Sequence, residues 1–524
     1  MEIGEYIKKL RKSKGLTLEK FGELFGVSHQ SVQKWESGAA VPEVSNLVRI
    51  AKYFDASLDE MLLGRDKRLS EIINYDKVIK PSYEKMHIWE DYSRDNMTEF
   101  QQSMDEGLDI AMYEELFKTT ARLPRNQVRG KLGDLLFEIV SNAPTRDGYK
   151  YTEPDDIEKI MELRNPYPIT GTVDKSKLQS KIHGAWMGRI AGCYLGKNIE
   201  GIKSAELVPF LKASGNYPMH RYIMSYDVTD EIYEGMTFKI NRDRCADKIS
   251  YMLCDDDTNY TVLAQELVEK YGRDFTSDDI MNVWLDCQTK NAYCTAERVA
   301  YCNFIKGYTP PKSATHKNPY REWIGAQIRG DYFGYINPGN MELAAEMAWR
   351  DGRISHVKNG IYGEMFIAAM IAAAALTDNM KDIVLAGLAE IPYTSRLYEN
   401  IMNVVNMYDE GKTQEEVRDF IYREWDEINT HTMIHTISNA MIVVMALLYG
   451  GGDFGKTVCL AVQTAYDTDC NGATAGSIVG MAKGIEAIGE EWQKPFNDSL
   501  YTTVFSRGLV KISDCVKLTL KHIL

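Results

Sequence analysis

Apolar residues recur three and four apart along most of the chain, while strict alternation is rare, so the pattern predicts an all-α protein. Residues 1–65 read as short amphipathic helices with tight punctuation. Thr17 is placed to cap a two-turn helix from Leu18 to Phe25, Gly26 to turn the chain sharply, and Ser28 to cap a second helix from His29 to about Ser37. The row Leu47, Ile50, Ala51, Phe54, Leu58 and Met61 then closes a five-helix bundle. Residues 66–175 form a charged helical connector. Its apolar positions Leu108, Met112, Leu116, Leu132, Leu135, Leu136 and Ile139 are expected to dock on the larger domain. Residues 176–524 carry long helical periodicities broken by glycine turns, with short strand signals only at Tyr222–Met224 and Thr237–Ile240.

Composition narrows the class. With 524 residues, 44% hydrophobic and 26% charged, the chain can bury a large core and is not disordered. The apolar run Met365 to Leu376 falls short of the roughly 20 residues of a membrane span. The acidic start Met1–Glu5 is unlike a signal peptide. Nine scattered cysteines without a CxxC pair point to a reducing compartment, so a cytoplasmic protein without membrane contact is expected. A net charge of −14 confines any contact with nucleic acid to a local patch.

The first module offers such a patch. Val32 and Trp35, three apart, face inward and leave His29, Gln30, Gln33 and Lys34 outside, a polar face suited to base edges. Arg11, Lys12 and Lys14 are expected to hold phosphates. The bland alternative is a helical bundle with a solvated face. The run from Thr17-Leu18-Glu19-Lys20-Phe21 to Val32-Gln33-Lys34-Trp35-Glu36-Ser37-Gly38 resembles the helix-turn-helix domain of the Cro and phage-repressor (XRE-type) family. The resemblance implies that His29, Gln30, Gln33 and Lys34 read bases and that a homodimer binds a two-fold site.

In the large domain, Asp255, Asp256 and Asp257 stand together at the start of a helix running through Val262, Leu263, Leu267 and Val268. Capping explains one or two of them; three repel one another in a way a hard divalent cation would relieve. Asp467 and Asp469 precede a second helix, whose Gly472, Ala473, Ala475, Gly476 and Gly480 allow a close neighbour and would plant both carboxylates deep in a bundle. A glycine-rich stretch from His183 to Gly201 reads as a helix with a turn ending on Glu200.

In this order the three segments resemble the ADP-ribosylglycohydrolase family from about Leu178 to the end. Gly192 to Glu200, Asp255 to Thr258, Ile354-Ser355-His356 and Asp467 to Cys470 carry the match. The resemblance implies two Mg²⁺ ions, with Mn²⁺ as an alternative, held by Asp255, Asp256, Asp257, Asp467 and Asp469. It further implies that Glu200 and Asp257 serve in cleaving a glycosidic bond of an ADP-ribosyl compound. Cys193, Asp255 and Cys470 stand where the family has aspartate, threonine and a hydroxyl residue. The stretch Arg329 to Asn340 reads as a loop rich in aromatics and amides, and Tyr335, Asn337, Gly339 and Asn340, with His356, are candidate substrate contacts. His356 and Glu364 are expected on one face of a helix. Joined, the two modules imply a ligand-responsive regulator. A non-catalytic ligand sensor, and a hydrolase whose helix-turn-helix unit only dimerises, are the alternatives.

Overall fold

The computed structural model describes residues 3–56, 58–63 and 86–523. The chain divides into two compact units, Met1–Met86 and His87–Leu524. The boundary expected between residues 65 and 66 lies outside the described residues.

The small unit is helical: α1 (Ile3–Ser13), α2 (Leu18–Phe25), α3 (His29–Glu36), α4 (Val44–Phe54) and α5 (Leu58–Leu63). Its caps follow the local chemistry. Thr17 accepts from Lys20 N, Ser28 accepts from Ser31 N, and Gly26 takes φ +70 in the bend between α2 and α3. Ile7, Phe21, Val32, Leu47, Ile50 and Met61 are fully or almost fully buried against one another.

The large unit is helical throughout its core, and its strands among the described residues are the antiparallel pair Ser499–Tyr501 and Leu509–Lys511. Neither stretch read as a strand, 222–224 or 237–240, forms one. Ile223 makes one isolated backbone hydrogen bond, its carbonyl accepting from Ala246 N at 3.2 Å, and the Thr237 and Phe238 amides donate to the Glu206 carboxylate instead of a strand. The hairpin near the carboxy terminus, by contrast, is too short to show a periodicity. The apolar run at Met365 belongs to the helix Asn359–Ala374, which is buried on every side. No helix among the described residues is long and apolar enough to cross a membrane.

Residues 87–175 sit within the large unit. The helices Asn96–Asp105, Glu114–Arg122 and Gln127–Asn142 enclose a small core of Ile110, Phe117, Leu136 and Val140. Met112 and Leu135, expected in it, are exposed, because the helical register turns Ile110 and Phe117 inward instead. Buried ion pairs tie the segment to the body of the unit. Arg321 lies between Glu99 (2.8 Å) and Glu106 (2.6 Å), and Arg396 between Glu153 (2.8 Å) and Glu322 (2.7 Å).

The feature that positions the site is a glycine ladder. The helix Leu178–Lys197 packs along the helix Thr468–Lys483 so closely that their backbones touch. A Cβ on Gly184, Gly188 or Gly192 would run into the carbonyl of Gly480, Gly476 or Gly472, and one on Gly196 would strike the Thr468 backbone. Only glycine, repeated every fourth residue on both helices, permits this approach.

Candidate functional site

On α3 the structure places His29, Gln30, Gln33 and Lys34 on the exposed face, opposite Val32 and Trp35, which are 0% and 6% exposed. Lys12 and Lys14 are also exposed. Arg11 differs from the expectation. Its guanidinium donates to Glu36 (Nη2 to Oε2, 2.9 Å) and to the Leu16 carbonyl (2.7 Å), clamping α1 to α3. A half-buried guanidinium with a carboxylate in reach pairs locally instead of facing a phosphate.

In the large unit the site joins three distant segments: the ladder sets the start of the helix Thr468–Lys483 beside the helix Leu178–Lys197, and Arg189 and Lys197 of the latter hold the Asp255–Asp257 segment. Asp255 caps the helix Asp256–Tyr271, its Oδ1 accepting from Asp257 N at 2.8 Å, while its other oxygen is paired with Lys197 Nζ. Asp257, fully buried, meets Arg189 at 3.0 Å, and the same guanidinium reaches Asp331 at 2.8 Å. Asp467 and Asp469 come from the start of the helix Thr468–Lys483. The turn before them is strained: Ala465 and Tyr466 both adopt φ +63, outside the usual region for side-chain-bearing residues. Tyr466 is held there by a hydrogen bond to the Trp425 carbonyl and by stacking on Tyr422. Asn439 Oδ1 then accepts from Asp467 N (3.2 Å) and Asn471 Nδ2 (2.8 Å).

The result is three overlapping groups whose ligand atoms lie within 4.8 Å of one another: Cys193, Asp255 and Asp257; Asp257, Asp469 and Cys470; Glu200, Asp467 and Asp469. Asp256 stands beside them, and its charge acts on Glu200. Crowding shows in the proton affinities. Burial, then Asp255, raises Asp469 to about 6; the Asp469 charge, then burial, raises Glu200 to about 9, although Glu200 lies at the exposed rim. Burial also pushes Asp256, Asp257 and Asp467 well above the usual carboxylate range. For Asp255 burial acts in the same direction, but the ammonium of Lys197 prevails and holds it below its ordinary value.

A divalent cation fits this donor set. Asp257 Oδ2, Asp467 Oδ1, Asp469 Oδ1 and Asn471 Oδ1 are buried without a hydrogen-bond partner, and unpaired buried oxygens are costly unless a cation satisfies them. Two groups share Asp257 and two share Asp469, the arrangement that adjoining ions require.

The stretch 329–340 is not the open loop expected. Asp331–Tyr335 is helical, and Tyr335 is fully buried, bonded to Ser477 Oγ (2.7 Å) and the Ala185 carbonyl (3.2 Å). Asn337 donates to the Phe333 carbonyl (2.8 Å), Gly339 N donates to the Ala372 carbonyl (2.8 Å), and Asn340 caps the helix Met341–Gly352. Their polar groups are engaged in holding the fold. His356 precedes the helix Asn359–Ala374 rather than lying on it. It is buried and neutral, its ring bonded to Ser355 Oγ (2.8 Å) and 3.9 Å from Glu297, with burial holding its proton affinity well below the usual value. These five residues are not among the clustered carboxylates and thiols.

Arg189, Lys197, Asn439 and Asn471 are members of the site that the sequence pattern did not single out. Arg189 and Lys197 lie one turn either side of Cys193 on the face next to the glycine stripe, a spacing that marks them in retrospect; Asn439 has no local signal.

A family model described as ADP-ribosylglycohydrolase matches residues 174–516, and one described as Helix-turn-helix matches residues 7–61. The small unit is similar to the HTH-type transcriptional activator BcrR of Enterococcus faecalis, 39% identical over 66 residues, 13% of this chain and 32% of that protein. It is also similar to the SPbeta prophage-derived uncharacterized HTH-type transcriptional regulator YonR of Bacillus subtilis (strain 168), 31% identical over 86 residues, 16% of this chain and 80% of that protein. This chain thus spans about a third of the length of BcrR. A solved structure described as an ADP-ribosylglycohydrolase-related protein complex overlaps 66% of this chain and 98% of that chain, at 18% identity and a TM-score of 0.41, too loose a likeness to assign anything.

Proposed function

The chain belongs to the ADP-ribosylglycohydrolase family and carries a helix-turn-helix domain of the transcription-regulator type, and on that premise we propose a cytoplasmic, DNA-binding regulator whose large domain hydrolyses an ADP-ribosyl or related N- or O-ribosyl compound. The observation that carries this reading is the meeting of Asp255, Asp257, Asp467 and Asp469 from two helix starts, beside Glu200, with buried oxygens left unpaired. Asp255, Asp256, Asp257, Asp467 and Asp469 would hold two divalent cations, Mg²⁺ or Mn²⁺, which supply positive charge to orient a ribose diol and polarise the reacting centre. With the Asp469 charge that raises its proton affinity offset by bound cations, Glu200, at the open rim, would take the proton of a water adding to the anomeric carbon and return it to the leaving group as that bond breaks. Asp257, anchored by Arg189, keeps the sugar in register. His29, Gln30, Gln33 and Lys34 read the operator as part of a homodimer, and the state of the sugar site shifts DNA affinity.

A second reading, a sensor that binds without hydrolysing, is favoured by one observation: thiols of Cys193 and Cys470 occupy two of the three groups. Single-turnover assays with ADP-ribosylated arginine, ADP-ribosylated serine and small ribosides, in both cations, separate the two. Release of the leaving group by the wild type, at least about 100-fold slower in Asp257→Asn, is expected. Binding of ADP-ribose with no turnover of any substrate establishes the sensor. DNA affinity that is the same with and without ADP-ribose refutes the coupling.

A further inference from the structure

We infer that the cation centre is a mixed thiolate–carboxylate site, in which Cys193 and Cys470 ligate a thiophilic first-row ion of the Zn²⁺ or Fe²⁺ class in preference to Mg²⁺. This rests on the reading that the clustered carboxylates hold cations, and names which ions. The geometry is symmetric about one residue. Cys193 Sγ groups with Asp255 and Asp257 on one side, and Cys470 Sγ with Asp257 and Asp469 on the other. Metal–sulfur bonds of about 2.3 Å and metal–oxygen bonds of about 2.0–2.2 Å put a sulfur and an oxygen of one ion at most roughly 4.5 Å apart. The atoms of each group lie within 4.8 Å of one another, so a closure of a few tenths of an ångström at most brings each group onto one ion.

Neither thiol is a surface accident. Cys193 is 0% and Cys470 6% exposed, and each sits on one of the two helices locked by the glycine ladder, so neither can withdraw without separating backbones in contact. Buried Asp257 Oδ2 and Asp469 Oδ1 lack hydrogen-bond partners and belong to residues of these same groups. Mg²⁺ seeks near-octahedral oxygen and retains water, and sulfur is a poor partner for it; sulfur with carboxylate suits Zn²⁺, Co²⁺ and Fe²⁺. On ligation each S–H bond breaks heterolytically, the proton leaves to solvent, and the sulfur lone pair forms the bond to the ion, with no change of oxidation state.

The test uses the full chain stripped of metal by a chelator and titrated with Co²⁺. A sulfur-to-cobalt charge-transfer band in the near ultraviolet is expected, weakened in Cys193→Ser and in Cys470→Ser and absent in the double variant. Zn²⁺ should displace the cobalt where equal Mg²⁺ does not, and the double variant should narrow the Zn²⁺ preference by at least about tenfold. Cobalt bound with visible d–d bands but no sulfur band overturns the thiolate ligation and leaves the carboxylate centre standing. Absence of heat on titrating Co²⁺, Zn²⁺, Mg²⁺ and Mn²⁺ by calorimetry overturns both. The wild-type spectrum decides the matter even should a serine variant fold poorly.

Discussion

The two units build their chemistry in opposite ways. In the small unit the face of His29, Gln30, Gln33 and Lys34 lies on α3, and the helix beneath it is specified by its own caps and by Val32 and Trp35. In the large unit no single element contains the site. Asp469, Glu200 and the two thiols meet because two helices far apart in sequence touch backbone to backbone, and Asp257 joins them from a third helix through Arg189. A surface carried on one helix tolerates change elsewhere in the chain; an assembled centre inherits every error in the packing that assembles it.

The strongest way to break this contrast is Gly192→Val. Its side chain has nowhere to go but the Gly472 carbonyl, with the next rungs of the ladder equally closed. A loss of at least about 3 kcal/mol in the large unit is expected, read as a fall in the urea midpoint, while the small unit keeps its DNA affinity. A midpoint like the wild type would show that the contact does not hold the centre together.

The same division separates the features legible in the sequence from those that were hidden. The caps Thr17 and Ser28, the turn at Gly26 and the inward pair Val32 and Trp35 are local signals, and the structure has them in place. The Asp clusters were legible too, as surpluses beyond what capping needs. The pairing of Gly184, Gly188 and Gly192 with Gly480, Gly476 and Gly472 was not, since nothing in either helix states the register of its partner. The stretch 329–340 misled because its glycines and amides look like a solvent loop, although burial turns the same residues into a tight helical bend. Arg11 misled for the converse reason: its partner Glu36 lies on another helix and intercepts the charge before a phosphate can.

A second buried cluster sharpens the point through pH. Glu297 is almost wholly buried, 2.7 Å from Arg329, and burial outweighs that guanidinium to raise its carboxyl to about 7 from an ordinary 4.5. A raised folded value means the native state binds the proton more tightly. The contribution is therefore full below pH 4.5 and is lost as pH rises through 7. It amounts to about 3 kcal/mol at most, and Glu297→Gln should flatten that limb of the stability–pH curve. An unchanged slope in the variant would assign the pH dependence to other groups.

Cation linkage should come next, at slightly smaller size. A cation at 100 times its Kd stabilises a folded chain by about 2.7 kcal/mol, and the wild type should show this as a rise in Tm. Asp469→Asn removes a member of two of the three groups and leaves the Cys193, Asp255 and Asp257 group intact, so the rise should fall by about half or more. Without cation the same variant should melt higher than the wild type, because a carboxylate crowded by Asp255 has been neutralised. A cation-dependent rise that keeps its full size in the variant would place the ions elsewhere.

The smallest effect probes the local side of the contrast. Ser28 Oγ accepts from Ser31 N at 3.2 Å at the start of α3, satisfying one of the amides that a helix start leaves open. Ser28→Ala should cost about 1 kcal/mol in the small unit, measured by denaturation of the full chain with both transitions followed. The cation-dependent rise in the large unit should stay as it is, since the hydrogen bond serves only α3 and the residues it presents. If one lost cap on α3 also lowered cation affinity, the two units would share an energetic link carried by folding.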